Sequence, residues 1–173
     1  VWGGQWMKEK FCLDPNADNF GWAFDGLPEE NSLYFRYGDV RIEVPALNLV
    51  RQYPNELLGA KVHSRFGKEF PIRFDFLDTM EGGNLSLQVH PLTEYIQEQF
   101  GMHYTQDESY YILHAKEDAA VYLGVKEDVN MEDMVEDLKK AQAEGQYRFP
   151  DEKYVNCFPA KKHDHFLIPA GTV

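Results

Sequence analysis

The sequence is short of several things, and each shortage excludes a class of protein. Cysteine occurs twice in 173 residues, at Cys12 and Cys157. Two such residues make no disulfide framework, and a reducing cytoplasm is the simplest compartment. Positive charge is scarce, with 17 Lys and Arg against 29 Asp and Glu, a formal net charge of −12. Binding a phosphate backbone needs clustered cations, and no basic run occurs, so no nucleic-acid partner is expected. An anionic small molecule would need a local basic site to offset the overall field. No stretch approaches the ~20 consecutive apolar residues of a membrane helix. The opening residues, VWGGQWMKEK, are mixed and polar rather than a leader, so no membrane partner is expected either. Walker loops, dinucleotide fingerprints and nucleophile elbows are absent as well. The chain opens on Val1 and stops at Val173, which reads as an excerpt of a longer protein.

What is present is an ordinary globular balance, 43% hydrophobic and 27% charged, so one domain spanning residues 1–173 with a buried core is expected. Aromatic residues reach 14%, and such side chains suit the pleated, half-buried surface of a sheet. Leu33, Phe35 and Tyr37 alternate, as do Val40, Ile42 and Val44 beyond Gly38-Asp39, which predicts a hairpin. Short helical turns are expected from Asn48 to Gly59, interrupted by Pro54. Strands are expected over Ile72–Leu77 and over Asn84–His90. Glu108–Ala115 and Ala120–Val125 read as a strand pair joined by Lys116-Glu117-Asp118. Leu92, Tyr95, Ile96 and Phe100 sit at helical spacing, with Thr93 near the N-terminus and Gly101 as a stop. The clearest helix runs from Met131 to Glu144, with Asn130 as N-cap, an apolar stripe of Met131, Met134, Val135, Leu138 and Ala141, and its acids and lysines outward. Late strands are expected near Tyr154–Phe158 and His165–Ile168, with a turn at Pro169-Ala170-Gly171. The fold class these imply is mainly β, an antiparallel sandwich or barrel with a few short helices, of which a jelly roll is one solution.

The sharpest local signal is Leu85-Ser86-Leu87-Gln88-Val89-His90-Pro91. In a strand Ser86, Gln88 and His90 share one face. That face fits two readings. A polar face turned to water is the commoner one in antiparallel sheets; in a small barrel the same face lines the interior, where converging polar groups make a site. Glu108 opens a strand 18 residues after His90. Imidazole and carboxylate are normal zinc ligands, and Gln is a weaker, neutral one. The surface-acid reading of Glu108 stays open on these grounds. His63 and His103 read as loop residues, His114 as a satisfied core histidine, and His163 and His165 as part of a solvated turn.

These residues resemble a family. Leu85 to Pro91 is similar to the metal-binding signature of the zinc-dependent mannose-6-phosphate isomerases of the cupin superfamily. Supporting likenesses run nearly the whole length: Trp2-Gly3-Gly4, Phe70-Pro71, Phe76-Leu77-Asp78-Thr79, Glu108-Ser109-Tyr110-Tyr111-Ile112-Leu113, Val121-Tyr122-Leu123-Gly124, and Phe166 to Val173. The resemblance implies an incomplete cupin-type jelly-roll barrel whose interior Zn2+ is held by Gln88, His90 and Glu108. It implies a fourth ligand, a histidine, directly after the sequence matching Gly171-Thr172-Val173. It implies interconversion of mannose 6-phosphate and fructose 6-phosphate through an enediol, with a sugar or sugar phosphate as small-molecule partner and Ser86 near the phosphate. Two departures stand out. Asp75 and Gln106 occupy places where the family usually has lysines, which removes two positive charges and adds a negative one. A non-catalytic cupin that binds sugar or metal, or an isomerase for another sugar, are the alternatives those departures raise. The 173 residues alone are expected to be inactive. Neither the general base nor the oligomeric state is assigned.

Overall fold

A computed structural model of the chain describes residues 3–17, 20–24, 31–143 and 145–173. The described residues fall into two compact units, 1–84 and 85–173.

In the first unit, α1 (Trp6–Phe11) precedes β1 (Gly21–Phe24), then β2 (Ser32–Tyr37), β3 (Val40–Pro45), α2 (Ala46–Gln52), α3 (Pro54–Phe66) and β4 (Phe74–Leu77). The predicted hairpin is there: β2 and β3 pair antiparallel with Phe35 opposite Ile42 and Tyr37 opposite Val40. Gly38 takes φ +57° in its two-residue loop, a conformation open to glycine without steric cost. On the other face Tyr34 donates to Glu43 Oε1 at 3.2 Å, and the Arg41 guanidinium lies 3.8 Å from the Tyr34 ring centre. Pro54 does not break a helix but starts one, since its missing N–H costs nothing in a first turn. The helical region reaches Phe66, well past Gly59, where the chain kinks at φ +76°. His63 therefore sits on a helix rather than in a loop, its Nδ1 2.8 Å from Asn55 Oδ1. β4 is shorter than expected and pairs antiparallel with β1, Gly21 opposite Leu77.

Asp78, just past β4, is 2% exposed. Its carboxylate accepts the Met7 N–H at 2.7 Å in the first turn of α1 and the Met80 N–H at 3.0 Å. Gly4 lies against it, donating its N–H to the Asp78 carbonyl at 2.8 Å. Around this join sit the buried Met7 and Phe20, with Ala46 and Val50 from α2 also buried.

The second unit runs α4 (Thr93–Phe100), β5 (Glu108–Tyr111), β6 (Ala120–Val125), α5 (Met131–Ala143), α6 (Asp151–Tyr154), β7 (Val155–Pro159) and β8 (His165–Ile168). α4 ends at Gly101 with φ +66°, as its sequence predicted. Asn130 caps α5, its Oδ1 accepting the Glu132 N–H at 2.9 Å. The expected last residue of that helix, Glu144, lies outside the described residues.

Three expectations need correction here. β5 does not pair with β6; β5 pairs with β8 and β6 with β7, both antiparallel. The Lys116–Ala119 turn joins the strands in sequence, but their ladder partners come from the C-terminal segment. Asn84–His90 has no ladder partners among the described residues, so it is not a strand. Helices also hold more of the described residues than strands do, and the strands form four two-stranded sheets. The fold is thus mixed rather than mainly β, with no closed jelly-roll barrel among the described residues. Good helix formers over 46–66 and 131–143 outweighed the aromatic content that suggested sheet.

The core of this unit is Met134, Tyr154 and Val155, packed by Tyr122, Val125, Val129, Phe149 and Val173. Of the predicted α5 stripe only Met134 is fully buried, and Asp137, expected outward, is 8% exposed. Asp137 is stabilised there by the Tyr154 hydroxyl at 2.5 Å, the Tyr147 hydroxyl at 2.8 Å and Lys153 Nζ at 3.2 Å. The Tyr154 bond first, then those from Tyr147 and Lys153, hold the carboxyl down at about 2 from an ordinary 3.8, against the opposing effect of burial. A depressed acid stabilises the fold above its unfolded pKa and loses that contribution as pH falls through its folded one. Wild-type melting temperature should exceed that of Asp137→Asn near neutral pH. The gap should close between about pH 4 and about pH 2, as measured by thermal melts across that range. A gap independent of pH would show that the carboxylate charge contributes nothing.

Candidate functional site

The predicted site residues lie in the second unit. The segment ending at His90 runs into Pro91, which cannot donate a backbone hydrogen bond, and the chain then enters α4 at Thr93. After α4 the chain comes back, and the Thr105 hydroxyl donates to the Pro91 carbonyl. β5 then opens at Glu108, placed opposite Ile168 of β8. The result brings Gln88, His90 and Glu108 together. Gln88 Nε2 lies 3.4 Å from His90 Nε2, and His90 Nδ1 lies 3.5 Å from Glu108 Oε2. The His90 and Glu108 side chains are 22% and 28% exposed, so the group is half-open to water.

Ser86 belongs to the same segment and is exposed; it makes no hydrogen bond to the other three among the described residues. Tyr110, two residues along β5, has its phenol pushed up by burial first and by the Glu108 carboxylate second, so it stays neutral beside the site.

The donor set suits a divalent ion of intermediate hardness: imidazole, carboxylate and amide oxygen. Ligands about 2.1 Å from a tetrahedral ion stand roughly 3.4 Å apart; His90 Nδ1 and Glu108 Oε2 are 3.5 Å apart, whereas Gln88 approaches His90 with its amide nitrogen, so its Oε1 must turn toward the ring to serve as a donor. Two different ring nitrogens of His90 face the two neighbours, and only one can bind an ion. Either the ring turns to bring Glu108 to the same ion, or Glu108 orients the ring from behind. Among the described residues no group of three or more His, Cys, Asp and Glu is arranged to hold a metal, so Gln88 is needed as a donor.

Other residues weighed from the sequence have surroundings of their own. His114 is exposed outside any strand, not in the core. His163 sits exposed in the turn before β8 at φ +76°, with Tyr111 Oη 2.7 Å from its Nδ1, while His165 is exposed but opens β8 opposite Tyr111, so the solvated-turn reading fits His163 and not His165. Cys12 and Cys157 are both free and exposed. Asp75 forms an ion pair with Arg73 at 3.2 Å. A cleft of about 400 Å3 lies along β7, lined by Lys126, Glu152, Val155, Asn156, Cys157 and Phe158, and holds none of the three site residues. No helix of the described residues is long and apolar enough to cross a membrane.

Sequence reasoning missed Asp107 as a structural residue. Its Oδ1 accepts the Ala170 N–H at 3.0 Å, fixing the turn after β8. The signal was a short acid next to a proposed ligand and a Pro-Ala-Gly turn far along the chain, which no local rule connects.

No family model matches the chain, and no curated protein matches it. Solved structures do. The chain is similar to the mannose 6-phosphate isomerase from Bacillus subtilis, with a TM-score of 0.72 and 21% identity over 99% of this chain and 50% of that one. It is also similar to a candidate mannosephosphate isomerase from Archaeoglobus fulgidus, with a TM-score of 0.74 and 20% identity over 99% of this chain and 52% of that one. The chain spans about half the length of these two proteins and shares their fold over that half.

Proposed function

We propose that this chain is the metal-binding segment of an aldose–ketose isomerase acting on a sugar phosphate of the mannose 6-phosphate type, with the half-barrel character of a partial cupin. The observation that carries this reading is the convergence of Gln88, His90 and Glu108 in a chain folded like half of such an isomerase. Gln88, His90 and Glu108 would hold Zn2+, with the remaining ligand position outside these three. When bound there, zinc supplies Lewis acidity for the sugar oxygens at C1 and C2 and offsets negative charge as a proton moves between those carbons.

This chain's residues do the rest by holding and shaping. Gln88 is neutral, so the set carries one negative charge from Glu108 and leaves the ion strongly polarising. The exposed Ser86 hydroxyl is placed in the same segment and supplies a hydrogen bond to a phosphate oxygen. Asp75 and Gln106 supply no cation, so phosphate recognition rests on other groups. The free cysteines fit a reducing compartment such as the cytoplasm.

The test is turnover by the whole protein with Zn2+, comparing mannose 6-phosphate with mannose. Conversion of the phosphorylated sugar to its ketose is the expected result, with a weakened preference for phosphate because two lysines are absent. Turnover of mannose alone would change the substrate. Sugar-dependent thermal stabilisation without turnover would replace the enzyme by a sugar-binding cupin, the reading that Asp75 and Gln106 favour.

A further inference from the structure

We propose that Asp107 is a positioning residue for the Gln88/His90/Glu108 group, acting through the turn that follows β8. The inference rests on the metal-site reading above and assigns that site a support. His90 and Glu108 belong to segments that form no ladder with each other among the described residues, so their separation must be set by other bonds. Besides the β5–β8 ladder, which sets Glu108 opposite Ile168 three residues before Gly171, two links are present. In one, the Thr105 hydroxyl donates to the carbonyl of Pro91, joining the chain three residues before Glu108 to the residue after His90.

The other link passes through Asp107. Its carboxylate Oδ1 accepts the Ala170 N–H at 3.0 Å, and the next amide, that of Gly171, donates to the His90 carbonyl at 2.7 Å. The turn between is closed by Thr172 N–H to the Pro169 carbonyl at 3.1 Å. Gly171 takes φ +86°, and a Cβ there would stand 3.1 Å from Leu92 Cδ2, so the turn sits close against the chain just past His90. Asp107 is covalently next to Glu108. Glu108 and His90 are thus tied by two hydrogen bonds across one short turn. A bond from a backbone N–H to a carboxylate is stronger than one to a neutral acceptor. Groups that orient metal ligands in this way change affinity by ~10–100-fold when removed.

The experiment compares wild type, Asp107→Ala and Asp107→Asn in the full chain, with Co2+ alone as the probe. Asn keeps an oxygen acceptor for the Ala170 N–H; Ala does not. Asp107→Ala should bind Co2+ about 10–100-fold more weakly, change the visible Co2+ spectrum, and speed hydrogen exchange at the Ala170 and Gly171 amides, while the metal-free melting temperature barely moves. Asp107→Asn should restore affinity and protection to within a few-fold of wild type. Equal affinity and equal exchange in all three proteins would overturn the proposal. So would a fall in affinity that tracks a fall in metal-free stability, because that is a purely structural role. If wild type itself takes up no Co2+, the metal reading fails, and the amide exchange at Gly171 still decides whether Asp107 holds the turn onto His90.

Discussion

Gly4→Ala should lower the stability of the first unit by about 3 kcal/mol or more, measured as the shift in a denaturant midpoint. A Cβ on Gly4 would stand 2.4 Å from Asp78 Oδ1, 2.5 Å from the Met80 carbonyl oxygen and 2.6 Å from the Met80 nitrogen. Two of those three atoms are backbone, so no side-chain rotation relieves the overlap. The segment must instead move off Asp78, breaking the Gly4 N–H bond to the Asp78 carbonyl and disturbing the carboxylate that holds Met7 and Met80. Asp78→Ala tests the same join from the other side. It leaves two N–H groups without their acceptor, a cost of about 2–4 kcal/mol. Asp78→Asn keeps one carbonyl oxygen and should fall between Ala and wild type. A Gly4→Ala protein that unfolds at the wild-type midpoint would show that this close approach does not exist in solution.

That join illustrates what a sequence can and cannot disclose. Local grammar was legible: the β2–β3 hairpin around Gly38, α4 with its Gly101 stop, α5 with its Asn130 cap, and β8 all stand where alternation, spacing and capping residues put them. Each of these depends on residues within a few positions of one another. What failed was long-range. β5 takes its partner from β8 and β6 from β7, and nothing in Glu108–Val125 says that the adjacent strand is the wrong one. Asp137 is an acid on a helix with other acids, and only Tyr147, Lys153 and Tyr154 arriving from beyond the helix make its burial tolerable. Asp78 was likewise a lone acid until Gly4 and Met7 were brought to it. The site divides the same way. Alternation put Gln88 and His90 on one face, and they are adjacent, although the segment is not a strand. Glu108 joins them through the fold, by a convergence that spacing alone could not demonstrate.

His90→Ala should abolish metal uptake at this site, and the loss should be close to complete. Zinc or Co2+ content by elemental analysis of the whole protein reads it directly. The reason is the donor inventory. Among the described residues the group has one imidazole, one carboxylate and one amide, and no other cluster of His, Cys, Asp and Glu is arranged to substitute. Without His90, Gln88 and Glu108 are left with no nitrogen donor between them, and oxygen ligands alone favour harder ions such as Mg2+ over Zn2+. The two arrangements of the ring then separate by their effect at Glu108. If Glu108 binds the ion directly, Glu108→Gln removes a charged ligand and should cost affinity almost as heavily as His90→Ala. If Glu108 orients the ring from behind, Glu108→Gln keeps a hydrogen-bond acceptor for Nδ1–H and should cost only ~10–100-fold. Unchanged metal content in the His90→Ala protein would remove the metal site altogether. It would leave the fold shared with the two isomerases without the chemistry that their name implies.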